Sequence, residues 1–198
     1  MFKPLIAILA LLLASLTMAQ TAQPLRLRAT IEKVEPGSIT VKERSGEVVT
    51  LLLANNLTVT EVYPIDISDI RADSYIGAAA LPAKDGTLTA LEVLVFPAAM
   101  RGAGEGHRPH DLMPESTMTN AAVDGMSSSA NGRTLKLKYK DGEKTLNVPL
   151  NVPIVSLKPG DSSLLVTGAK LFVTAEMRDG KPTATRITAG RNGFAPPM

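Results

Sequence analysis

The chain has 198 residues, with 21 basic and 19 acidic side chains, and it contains neither cysteine nor tryptophan. Without cysteine, the sequence excludes disulfides, thiol catalysis, thiolate metal sites and a lipid-anchoring cysteine. The near-neutral charge balance argues against nucleic acid or an anionic membrane surface as the partner.

The N-terminal segment predicts export. Residues 1–19 (MFKPLIAILALLLASLTMA) place Lys3 before an uncharged run and end in small residues, which is typical of a secretory signal peptide. The run of about 12 residues is shorter than the roughly 20 that a bilayer span needs, and no later segment is uncharged for long enough. After loss of Lys3, 20 bases face 19 acids, a net charge of +1. We expect a periplasmic location, with full secretion as the alternative.

Alternating apolar residues and glycine turns predict β-strands from Leu25 onward. One strand starts at Leu25 and ends near Pro36-Gly37, and two more, at 38–43 and 47–53, flank Gly46. An irregular stretch, 64–74, follows and is predicted to hold a short helical turn capped by Asp66. A hairpin then joins 75–81 to 87–96 across Asp85-Gly86, a strong hairpin signal.

The second half of the chain repeats this order of strands and glycine turns. SGEVVTLLLANNLTV aligns with DGEKTLNVPLNVPIV after one deletion, and DGTLTALEV aligns with DGKPTATRI. The glycines that correspond are Gly37 and Gly132, Gly46 and Gly142, and Gly86 and Gly180. Three ordered turns flanked by alternating apolar runs indicate an internal duplication.

Each copy has three strands, an irregular stretch and a two-strand hairpin, which is the order of an OB-like barrel. The sequence therefore predicts an all-β fold of two tandem OB-like five-stranded barrels joined by a Gly/Pro-rich linker. The predicted boundaries are 24–97 for barrel 1, 98–116 for the linker, 117–191 for barrel 2 and 192–198 for a C-terminal tail.

Two segments carry a resemblance to known proteins: FPAAMRGAGEGHRPHDLMPESTMTNAAV and the ending GRNGFAPPM. With the turn-and-strand pattern, they resemble a bacterial family of small exported proteins built on a domain of unknown function, and the resemblance covers nearly all of the mature chain. It implies tandem small β-barrels. Relatives are sometimes labelled as metal ABC transporter permeases, a label that this chain does not support because it lacks any later membrane-spanning segment.

The linker holds both histidines, and they form the candidate metal site. His107 and His110, with Asp111 and Met113 close by, offer the imidazole, carboxylate and thioether donors that copper or zinc sites use. If Pro109 keeps the segment in polyproline II, the rings lie on one side but about 9 Å apart, too far to share an ion without a fold at Gly106. The alternative is two surface histidines in a Gly/Pro loop without a metal.

Catalysis and nucleic-acid binding find little support in the sequence. No nucleophile stands at a recognisable spacing from a base, and capping or turn formation explains Asp66, Asp69 and Asp161. Aromatic residues are too few for a stacking platform. The charged positions Arg26, Arg28, Lys136, Lys138 and Lys140 alternate along strands and predict a charged outer face.

We therefore expect an exported protein that is not an enzyme, needs no cofactor, and acts as a binding or scaffolding module for a protein partner. The alternative is periplasmic copper or zinc binding and delivery through His107 and His110. The oligomeric state is left open by the sequence.

Overall fold

A computed structural model describes residues 24–197, which form twelve strands and short 3-10 turns. The predicted signal peptide, residues 1–19, lies outside the described residues. Within 24–197 no helix is both long and apolar enough to span a bilayer. The strands are β1 (Leu25–Glu35), β2 (Ser38–Glu43), β3 (Val48–Pro64), β4 (Tyr75–Pro82), β5 (Leu88–Val95), β6 (Gly106–Pro109), β7 (Thr117–Ser129), β8 (Gly132–Tyr139), β9 (Gly142–Pro149), β10 (Ile154–Pro159), β11 (Lys170–Arg178) and β12 (Lys181–Gly190).

The all-β prediction is confirmed, and each predicted glycine turn joins two strands. Gly46 closes the β2–β3 hairpin with φ of 93°, and Gly86 closes the β4–β5 hairpin with φ of 83°. Residues with a Cβ rarely adopt this left-handed conformation, which explains the glycine at each turn. The predicted helical turn is also present, as a 3-10 turn at Ile67–Asp69 that begins after Asp66.

The first barrel combines strands from both ends of the chain. Strands β1, β2 and β3 pair with their sequence neighbours, β11 pairs antiparallel with β1, and β12 pairs parallel with β3. The resulting closed order, β1-β2-β3-β12-β11, is that of an OB-like barrel with β11 and β12 as its fourth and fifth strands. Its interior is filled by aliphatic side chains, among them Ile31, Ile39, Val41, Leu51 and Ile187.

The second ring of strands has the same order, β7-β8-β9-β5-β4. Strand β4 pairs antiparallel with β7, and β5 pairs parallel with β9 at Leu88–Leu146 and Thr89–Asn147. Aliphatic side chains again fill the interior, and the fully buried ones include Ile76, Val93, Leu135 and Leu137. We call the ring of β1, β2, β3, β11 and β12 barrel A, and this second ring barrel B.

This pairing corrects the predicted assignment of strands to the ranges 24–97 and 117–191. Each range supplies three strands to one barrel and gives its final hairpin to the other, so the hairpins β4–β5 and β11–β12 are exchanged. The reason lies in β3, which runs unbroken for 17 residues and extends beyond barrel A. Turn chemistry specifies which strands form a hairpin but not which barrel the hairpin completes.

The two barrels meet where β3 leaves barrel A and β10 leaves barrel B. The end of β3 pairs antiparallel with β10, from Thr60–Pro159 to Pro64–Val155, and β10 also pairs parallel with β5. Val62, Leu94, Val155 and Leu157 form a separate apolar cluster at this crossing, with Phe96 and Phe194 packed against it. The described strands thus form one continuous hydrogen-bonded sheet that contains both barrels.

The range 98–116, predicted to be a linker without a role in the fold, contributes a strand. Residues 106–109 form β6, which pairs antiparallel with β7 from Gly106–Asn120 to Pro109–Thr117. The Asn120 Nδ2 group also donates a 2.9 Å hydrogen bond to the Ala103 carbonyl. Gly77 leaves room for that side chain, because a Cβ at this position would lie 2.8 Å from Asn120 Oδ1. We call residues 98–116 the strap.

The exchanged hairpins predict that the two halves of the chain stay together after the strap is cut. We expect that, with a protease site inserted between Arg101 and Gly102 and then cleaved, the fragments elute as one species in size-exclusion chromatography and separate only in denaturant. The reason is that each barrel needs strands from both fragments. The uncleaved insertion protein is the control, and separate elution without denaturant would contradict the exchange.

Candidate functional site

His107 lies on β6, where its ring is held by barrel B. Its Nδ1 is 2.8 Å from the Thr119 hydroxyl, and Thr119 is its register partner on β7. Burial lowers the pKa of His107, and the nearby Lys144 lowers it further. Both effects favour the neutral form of the ring. It borders a shallow surface cleft with Glu105, Tyr139, Asp141 and Lys144.

His110 lies just after β6 in a different environment. Its backbone N–H donates to the Ser116 carbonyl at 2.8 Å, and the side chain is 16% exposed. Its Nδ1 lies 3.5 Å from Asp111 Oδ1, whereas its Nε2 is buried without a hydrogen-bond partner. Burial lowers the pKa of His110; Asp111 raises it, and three arginines lower it further. The arginines are Arg28, Arg108 and Arg26.

The four residues of the predicted metal site are held by separate contacts. His110 follows His107 by three positions along extended chain, and because successive residues of such chain face opposite sides, residues an odd number of positions apart do so too. Asp111 is bound to Arg28, and Met113 is 44% exposed. Within residues 24–197 no cluster of three or more His, Cys, Asp or Glu side chains has a metal-binding arrangement. The copper or zinc site stays a prediction, and the arginines around His110 weigh against a cation there.

Asp111 anchors the strap to barrel A. Both of its carboxylate oxygens accept hydrogen bonds from Arg28, at 3.0 and 3.2 Å, and these bonds hold the pKa of Asp111 below its usual value. The Arg28 guanidinium also lies over the Phe172 ring, 5.4 Å from its centre. The strap also contacts barrel B, because Glu105 accepts a 2.9 Å hydrogen bond from the backbone N–H of Lys140. The strap thus contacts both barrels through charged side chains.

Glu92, on β5 of barrel B, has the most strongly shifted pKa among the acids of the described residues. Its side chain is buried, 3% of the residue being exposed, and burial raises its pKa to about 7 although Arg28 and Arg44 act in the other direction. Its Oε1 has no hydrogen-bond partner, and neither do Arg28 Nε and His110 Nε2. We call Glu92, Arg28 and His110 the polar cluster. These residues belong to barrel B, barrel A and the strap, respectively, and each has a buried polar atom without a hydrogen-bond partner, which costs stability.

Glu61 is an equally buried glutamate in a different situation. Its carboxylate lies 2.9 Å from the Arg191 Nε and 3.1 Å from the Lys158 Nζ. A buried carboxylate with two cationic partners is satisfied, whereas Glu92 is not. The sequence contained a signal for both: each is the single charged residue of an otherwise uncharged strand, TVTEV for Glu61 and TALEVLV for Glu92.

Most of the basic residues of barrel A lie on one side of it, beside the polar cluster. This surface, which we call the basic face, is formed by outward-facing residues of β1, β2, β11 and β12 and of the β2–β3 turn. It consists of Arg26, Arg28, Lys42, Arg44, Lys170 and Arg186. Sequence reasoning identified Arg26 and Arg28 as outer residues but missed the other four. Two of these, Lys170 and Arg186, come beside β1 only through the exchanged β11–β12 hairpin.

Comparison with known proteins gives no relative: no family model, no curated protein and no solved structure matches the chain.

Glu92→Gln is expected to stabilise the protein at neutral pH. Because folding raises the pKa of this carboxyl from 4.5 to about 7, the folded state holds the proton more tightly, and stability declines as pH rises through that interval. The decline amounts to about 3 kcal/mol, and the variant should lack it. Urea unfolding of both proteins over this pH interval measures the difference.

Glu61→Gln is the matched control, since it alters an equally buried glutamate that has two cationic partners. It should lower the free energy of unfolding by about 1–3 kcal/mol at neutral pH. A destabilising effect of Glu92→Gln similar to that of Glu61→Gln would contradict the unpaired state of Glu92.

Proposed function

We propose that the protein is an exported, non-catalytic binding module that engages a protein partner through its outer surface. The observation that carries the proposal is that aliphatic side chains fill the interiors of both barrels. Barrels that hold a small ligand keep a cavity in which most of the ligand's surface is buried. With the interiors filled, binding falls to the outer faces of the strands.

The arrangement of titratable groups also supports a role without catalysis. Asp66 and Asp161 each accept a backbone N–H at 2.8 Å and so cap 3-10 turns, as expected from the sequence. Glu92 lies within the protein, beneath arginines. General acid–base catalysis requires a titratable group within hydrogen-bond reach of a substrate. With 3% of the residue exposed, Glu92 has no such access.

Rigidity favours a protein partner. The crossing of β3 and β10 and the cluster of Val62, Leu94, Val155 and Leu157 join the barrels. Stable protein complexes bury roughly 800 Å² on each partner. A rigid surface binds at a lower entropic cost than one that must first become ordered. The outer faces of two joined barrels offer such an area.

A direct test compares protein binding with metal binding. The mature protein, immobilised and exposed to envelope extract of its own host, should retain a protein that excess soluble protein displaces. Calorimetric titration with Cu(I), Cu(II) and Zn(II) should show only weak binding, equal in the mature protein and in a variant carrying His107→Ala and His110→Ala.

Sub-micromolar metal binding that the double variant loses would overturn the proposal in favour of metal delivery, and failure to retain any displaceable protein would also count against it. Val34→Ala, an exposed substitution on barrel A away from the strap, is the control for nonspecific effects of mutation.

A further inference from the structure

The cations of the basic face form two rows across the strands of barrel A. Arg26 on β1 pairs with Thr174 on β11, which pairs with Arg186 on β12. In the other row, Thr30 pairs with Lys42 on one side and Lys170 on the other. Direct partners in neighbouring strands share a face and lie about 5 Å apart. Each row therefore has one cation on each side of a threonine.

Apart from Arg28, the cations of the basic face have no acidic partner within residues 24–197. All members of the basic face except Arg28 are exposed, and none of those five forms an ion pair within the described residues. Glu176, at one end of the face, is bound to Arg178 at 3.0 Å. On barrel B, by contrast, Lys138 stands directly opposite Glu143. The repulsion between unpaired like charges favours a bound anion.

A cleft of about 240 Å³ lies within the basic face. It is lined by Arg28, Thr30, Lys42, Arg44 and Lys170, and by Ala195 and Pro196 of the C-terminal segment. Glu43 is the one acid among its lining residues. A cleft lined by charges of one sign with low-dielectric walls strengthens the field at its mouth. The cleft therefore offers an anionic group a stronger attraction than an open surface does.

One anion, a carboxylate of the protein itself, is already bound on this face. Asp111 of the strap places a carboxylate on Arg28, between the two rows, and binds it with two hydrogen bonds. Arg26, Arg28 and Thr30 occupy alternate positions along β1, about 6.8 Å apart. Alternate side chains of an extended peptide have the same spacing. The rows on either side of Asp111 thus match carboxylates carried by an extended segment.

We propose that the basic face binds an acidic, extended segment of a protein partner, with carboxylates over the Lys42–Thr30–Lys170 row and the Arg26–Thr174–Arg186 row. This inference rests on the proposed function and specifies the partner's chemistry. Nucleic acid fits the face less well, because single strands bind by stacking bases on aromatic rings. Phe172, the aromatic residue between the two rows, is already covered by Arg28.

The test uses a short fluorescent peptide of alternating Glu and Thr, with fluorescence anisotropy as the measurement. The mature protein should bind it saturably and more weakly as salt increases, and should not bind the peptide with Gln in place of Glu. The variant carrying Lys42→Gln, Lys170→Gln and Arg186→Gln should bind about tenfold more weakly, since each exposed ion pair contributes modestly.

The matched control carries Lys136→Gln, Lys138→Gln and Lys140→Gln on barrel B, which removes the same charge and should change the affinity by less than about twofold. Equal loss in both triple variants would overturn the assignment to the basic face. Tighter binding of triphosphate, single-stranded DNA or a sulfated polysaccharide than of the peptide would overturn the peptide assignment. Retention of a displaceable host protein by the triple variant of the basic face would leave the proposed function standing and refute this inference alone.

Discussion

The crossing of β3 and β10 is the constraint on which the rest of the structure depends. Their antiparallel pairing, and the apolar cluster of Val62, Leu94, Val155 and Leu157 around it, accompany the placement of each half's last hairpin in the barrel of the other half. Neither barrel closes without strands from both halves of the chain. The barrels therefore fold as one unit, and their relative position is determined by backbone hydrogen bonds rather than by the strap.

Because the crossing already joins the barrels, the strap is not needed to connect them and instead packs on their outer surfaces. It adds β6 beside β7, and its Asp111 accepts hydrogen bonds from Arg28 of barrel A. The cost of this arrangement lies in the polar cluster, where Glu92 Oε1 and His110 Nε2 are buried without partners. Buried unpaired groups destabilise a fold, and proteins concentrate such costs at sites with a function. The basic face lies directly beside this cluster.

Local patterns in the sequence predicted the elements well and their assembly only in part. Gly46 and Gly86 specify their hairpins, and alternation from Leu25 specifies which side of β1 is buried. These signals extend over a few residues. A barrel could close with a hairpin from its own half of the chain or from the other half, and in both cases the hairpins and the buried faces of the strands are the same. Turn residues and alternation therefore carry no information about this choice. The length of β3 was the one available sign, and its unbroken run from Val48 to Pro64 was predicted only as far as Leu53.

The same argument explains why the charge of the chain was misleading about its surface. A net charge of +2 predicts little attraction to anions, yet composition averages over both barrels. Lys170 and Arg186 lie far from Arg26 in sequence and stand beside it only because β11 and β12 complete barrel A. The hairpin exchange thus creates the basic face. A chain with the same composition and unexchanged hairpins would place Arg26 and Arg186 on different barrels, and no surface with this arrangement of cations would form.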